Sequence, residues 1–347
     1  MAAIEHDPRD LVAFSANVLD PSWDHFTTVN LYLHRHCATT EGLDGVFGAL
    51  LGPAVRNYAA EWRTVVSPGA GVLQADSADL RKAARRYERN EQYNADSLFT
   101  TGKRLQPGSG VEERVAFDTA TPKLSVGAFK RVSYGELGTP EVPAGQKDFK
   151  QAFQELDSKL GWLEQKLREY VDVDLHGYVQ PLIGDWGVLW RISDAWRRAA
   201  GQGGDTAGMY PLYKELHTFS PALYAHWNGP GARAFEFHLD RFEAAVLAAS
   251  NQAQYAAESV KAGAVYAEKI FNLVFDKVEE ALTRVMKLAT SKGGAAGKYL
   301  EVVDLVVTFL KGLLQTVTDG VGTLVAGFDR WVAYMRTGGD FSVFRES

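Results

Sequence analysis

The residues best suited to chemistry in this chain are a close group, His34, His36 and Cys37, and a dispersed one, His217, His226 and His238. The first group suggests a metal, since imidazole and thiolate are common zinc ligands. Its spacing argues against one. Residues two apart point to different faces of a helix, and no second ligand pair follows. The other three histidines flank a turn without the spacing of a catalytic set, so no role is assigned to them. There is no Gly-x-Ser-x-Gly elbow, phosphate loop or dinucleotide fingerprint. Carboxylates such as Glu279 and Glu280 read as solvated helix surface. Cys37 is the single cysteine, which excludes an internal disulfide and a cysteine-based zinc site. The expectation is a protein that is not an enzyme and holds no metal and no cofactor.

The most informative local feature is a turn. Trp227-Asn228-Gly229 lies between two helix-forming stretches. Glycine permits the positive φ of a sharp reversal, and an indole can cap the apolar seam between the two arms. Helix, reversal and helix make an αα-hairpin. After the turn, Phe235, Leu239, Phe242 and Val246 begin a seam that alternates spacings of four and three as far as Val274. Small residues fill its middle: Ala249, Ala253, Ala256, Gly263 and Ala267. They allow close approach by a partner helix, which is either part of this chain or another chain.

The rest of the sequence frames this hairpin. All 12 prolines fall at or before Pro230, and proline costs about 3 kcal/mol in a helix interior, so the C-terminal third can sustain very long helices. Residues 1–100 read as a first helical unit: Asp10–Val18, Trp23–Leu33, a glycine-rich bend at 42–52, Pro53–Val66, and Asp76–Gln92 with Asp76 or Ser77 as N-cap. Residues 101–147, rich in Gly, Pro, Ser and Thr, read as a flexible, irregular linker, in which Glu113–Phe117 and Lys123–Val132 could pair as a small hairpin. Residues 148–292 form the hairpin unit, with helices at Phe149–Val171, Leu182–Ala200 and Met209–Ala225 before the turn. Residues 293–347 form an amphipathic helix, roughly Gly297–Arg336, and a short tail expected to be mobile. The fold class expected is all-α, in two helical-hairpin or bundle units.

The net charge of −6 gives no reason to expect nucleic-acid binding. The basic group Arg81, Lys82, Arg85, Arg86 and Arg89 reads as a solvated face or a contact for an acidic partner. The N-terminus lacks the basic, apolar and cleavage regions of a signal peptide. Asp304, Lys311 and Asp319 interrupt the longest apolar stretch, which therefore fails as a membrane span. The wide apolar side of residues 297–336 leaves membrane insertion or pore formation as the alternative function.

Family resemblance enters through several motifs read together. Ile183-Gly-Asp-Trp186, Ser193-Asp-Ala-Trp196, His226-Trp-Asn-Gly229 and Gly231-Ala-Arg-Ala-Phe-Glu-Phe-His-Leu239 resemble the WXG family of type VII secretion substrates, in its Gly-Asp-Trp variant, over about residues 180–275. Trp186, Trp227 and Gly229 carry that likeness. Phe47-Gly-Ala-Leu-Leu-Gly-Pro-Ala-Val55 and Ala78-Asp-Leu-Arg-Lys-Ala-Ala-Arg-Arg-Tyr87-Glu-Arg-Asn-Glu91 resemble the small EspC-like excreted proteins. In that family a tyrosine, with an acid four residues on, ends the second helix as an export signal; Tyr87 and Glu91 fit it, on one helix face. Leu31–Thr40 departs from the family pattern. The resemblance implies a non-enzymatic effector, exported to the envelope or medium without a cleavable signal peptide. It also implies recognition by a secretion ATPase or chaperone, with a small helical-hairpin protein or a second copy as possible partner.

Overall fold

A computed structural model describes residues 8–104, 129–146, 148–290 and 296–345. The fold is all-α, and no strand occurs among the described residues. The helices are α1 (Pro8–Phe14), α2 (Asp20–His36), α3 (Gly52–Val65), α4 (Gly69–Arg104), α5 (Phe149–Leu167), α6 (Leu175–Val179), α7 (Trp186–Ala200), α8 (Met209–His226), α9 (Pro230–Thr290) and α10 (Ala296–Thr337).

Pro53 stands in the first turn of its helix, as its position predicts, and Pro21 does the same in α2. π-helical turns at Ser15–Leu19 and Phe47–Leu51 run directly into α2 and α3, each of which carries proline in its first turn, Pro21 and Pro53. A widened turn accommodates a ring and a missing N–H that a regular ladder would not. Helix α4 also begins earlier than the composition suggests, at Gly69. Asp76 and Ser77 are therefore not N-caps. Ser77 bonds to Ser15 and Asp20, and Asp76 pairs with His238. Gly69 is required by packing: a Cβ there would lie 2.6 Å from the ring of Phe26 and 2.7 Å from that of Phe344.

α9 is the axis of the molecule. It packs against α7, α8, α10 and α5 along its length. Its seam residues Leu239, Phe242 and Val246 are fully buried, and Phe235 partly so. The covering elements belong to the same chain: the ring of Phe242 meets Phe344 at 5.2 Å and Phe26 at 6.4 Å. α3 is locked into the core from its other side. Tyr58 Oη donates to Gln252 O at 2.9 Å, and its ring packs on Trp196 and Phe328. Trp62 also packs on Trp196, with ring centroids 5.5 Å apart. Glu61, nearly buried, accepts two hydrogen bonds from Arg336. Each large side chain removed from water here is worth roughly 1.5–3 kcal/mol.

Two segments that composition marks as loose are held down. Residues 129–146 are irregular, but Phe129 and Val132 are buried, Val132 N donates to Asn17 O, and Gly135 N donates to Thr206 O. Tyr134 stacks on His25 at 4.0 Å, and Tyr32 Oη donates to Gly138 O. Glu113–Phe117 lies outside the described residues, and Phe129–Val132 forms no strand. The C-terminal tail is not loose either. Gly339–Arg345 forms a 3-10 turn that buries Phe341, Val343 and Phe344. The apolar face of α10 is likewise spent internally, against α3 and α9, and no described helix is long and apolar enough to cross a membrane.

Candidate docking site at the Trp-x-Gly turn

α8 ends at His226, Trp227 is extended, Gly229 has φ +120°, and Pro230 opens α9. Proline suits this first position because its missing N–H has no helical partner there. Arg233 N donates to Gly229 O at 3.1 Å and closes the first turn. A side chain at 229 would be strained whatever the space around it. This geometry is the reversal that the residue types demand.

The indole of Trp227 does more than cap a seam. It is 6% exposed and lies 5.7 Å from the ring of Phe235. Its Nε1 donates to Tyr87 Oη over 3.4 Å, a long bond between residues 140 positions apart. The turn and the middle of α4 are thus brought together, although nothing in either local sequence indicates it. Further along, His238 Nε2 lies 3.1 Å from the Asp76 carboxylate and ties α9 to α4 a second time. On α9 Phe237 is 66% exposed and on α4 Tyr93 is 75% exposed. Arg85, Arg86, Arg89 and Arg233 face solvent, as do Glu88, Glu236 and Asp240, so both signs of charge are present. The backbone of Glu91 continues α4, but its side chain lies outside the described residues.

Trp186 stands elsewhere. It opens α7 behind its N-cap Asp185, which accepts from the backbone N–H of Gly187 and Val188. Its ring is buried edge-on against Phe149 and Phe271, at 5.0 and 5.1 Å. Phe271 is about 60 Å along α9 from the turn, so Trp186 belongs to the core and not to the Trp227 reversal.

Several other titratable groups act as structural ties. Among the described residues no group of three or more His, Cys, Asp or Glu could hold a metal. Cys37 is fully buried, and burial pushes its thiol well up. His36 packs on Tyr32. Two clusters escaped the sequence reading. Glu243, buried on α9, accepts from Ser220 Oγ at 2.7 Å and lies 2.9 Å from His217 Nδ1, both on α8. Burial raises its carboxyl, against the lowering effect of these two partners. Glutamate bridges the other two, so this is a clasp rather than a nucleophile–base pair. His25 Nε2 lies 2.9 Å from Gly208 O and 3.1 Å from Gly208 N, and binds α2 to the start of α8. The i, i+3 spacing of His217 and Ser220 hints at the first cluster; no local signal announces the second.

No family model matches the chain, and no curated protein matches it. Among solved structures it is similar to the crystal structure of EspB from the ESX-1 type VII secretion system, at TM-score 0.42 and 11% identity, covering 85% of this chain and 92% of that one. The functional reading rests on this chain's own residues.

Proposed function

We propose that the chain is a non-enzymatic substrate of a type VII secretion system, exported to the envelope or medium and recognised where α4 meets the α8–α9 turn. The observation that carries this reading is the meeting of Tyr87 and Trp227, the residues on which the two family resemblances turn, in one hydrogen-bonded junction. A receptor that reads both must find them on one folded surface, and α4 and α9 carry exposed aromatic side chains, Tyr93 and Phe237. A secretion ATPase or a chaperone is the partner this surface suits. The seam of α9 is filled by the chain's own elements, so the reading needs no separate hairpin protein or second copy.

The test is export from a host carrying the machine. Tyr87→Ala and Trp227→Ala should each lower the secreted fraction by roughly ten-fold or more while the purified variants keep their helical circular dichroism. Undiminished export of both variants, or export from a strain lacking the secretion ATPase, would remove the proposal.

A further inference from the structure

The indole at the centre of the proposed docking junction is almost closed to solvent: Trp227 is 6% exposed. A partner cannot take hold of that ring while the last turn of α8 stays in place. α8 carries a defect immediately before that turn. Pro21, Pro53 and Pro230 stand in the first turns of their helices, but Pro221 lies inside α8. It has no N–H to offer the carbonyl of His217, and its ring crowds that carbonyl. It also disfavours helical geometry at the preceding residue, Ser220. These two residues are the ones that Glu243 grips from α9, with His217 Nδ1 at 2.9 Å and Ser220 Oγ at 2.7 Å. α8 is thus held from outside at the point where its own ladder is weakest.

Beyond Pro221 the attachment is thinner. Leu223 and Trp227 are buried, Ala222 and Tyr224 only partly so, and Ala225 and Asn228 face solvent. The bond from Trp227 to Tyr87 is long, at 3.4 Å. At the far end stands Gly229, with φ +120°, a residue type that changes backbone conformation without steric cost. We propose that residues 222–228 form a flap between two pivots, Pro221 and Gly229. It lifts as a local unit to expose the Trp227 indole to the docking partner, and the Glu243 clasp holds it closed until then. Openings of this kind are drawn from the least stable parts of a fold. The partner's role rests on the docking reading above; the flap itself does not.

The experiment follows amide hydrogen exchange of the purified full chain by mass spectrometry, comparing peptides from 222–228 with peptides from 260–275 in α9. The first should exchange faster than the second. Pro221→Ala, at an exposed position, restores the missing donor and should slow exchange at 222–228 by at least about ten-fold. Glu243→Ala removes the clasp without altering α8 and should speed it by about ten-fold. Neither variant should change exchange at 260–275, which separates local lifting from general destabilisation. In the export assay Pro221→Ala should lower the secreted fraction although Tyr87 and Trp227 are both in place. The proposal is overturned if neither variant changes exchange at 222–228, or if that exchange changes only in step with 260–275. It is also overturned if Pro221→Ala slows exchange yet is exported like the native chain while Trp227→Ala is not. That last result strikes the flap and leaves the docking reading; normal export of both Tyr87→Ala and Trp227→Ala strikes the docking reading, and with it the partner, whatever the exchange shows.

Discussion

Gly229 and His25 show how single residues set the terms of this fold. At Gly229 a φ of +120° is enforced by the reversal, so Gly229→Ala should cost about 1–3 kcal/mol of stability in urea denaturation, although nothing lies within 4 Å to clash. At His25 the constraint is electrostatic. Burial lowers its pKa, against the raising effect of the Gly208 backbone bond. The folded protein therefore takes up this proton less readily than an unfolded chain, in which histidine titrates near about 6.5. The stabilisation is present above that pH and is lost as pH falls below it. His176 has the opposite sign: burial acts to lower it, but Glu164 and Asp157 together outweigh that and raise it. The informative comparison is between native protein and His25→Gln. The native melting temperature should fall more steeply between pH 7.5 and 5.5, and parallel curves would refute this.

Among the elements, the C-terminal 3-10 turn invites a direct prediction. Phe344 is fully buried between Phe26 and Phe242. Phe344→Ala should cost about 3–5 kcal/mol, and truncation after Thr337 at least as much, both read by denaturant unfolding. The tail illustrates what the sequence could not disclose. Seven residues with no helical period carry no local signal of burial; their partners lie on α9, α4 and α3, with Phe26 of α2 against Phe344. The long helices were legible because their periodicity is local: the seam from Phe235 to Val274 faces the interior of α9, and the chain reverses at 227–229. Helix starts were less so. The beginning of α4 at Gly69 follows from packing against Phe26, which outweighs the preference of Asp76 and Ser77 for capping. The junction of Tyr87 with Trp227 was hidden for the same reason. Each motif is visible alone, but their contact is a property of how α4 lies on α9.

For the whole molecule, the N-terminal helices depend on partners supplied after residue 148. Tyr58 and Trp62 pack on Trp196, and Phe26 on Phe242 and Phe344. Expressed alone, residues 8–104 would expose these faces, so the fragment should lack the cooperative unfolding transition that the full chain shows by calorimetry. A fragment with a sharp transition of its own would disprove this dependence. α9 has a further consequence. Its 61 residues, at about 1.5 Å each, form a rod of roughly 90 Å. A sphere-like chain of 347 residues would have a radius of gyration near about 20 Å. This protein should therefore scatter X-rays in solution as an elongated particle, sediment more slowly than its mass suggests and tumble anisotropically. In any narrow passage, its orientation would matter as much as its width.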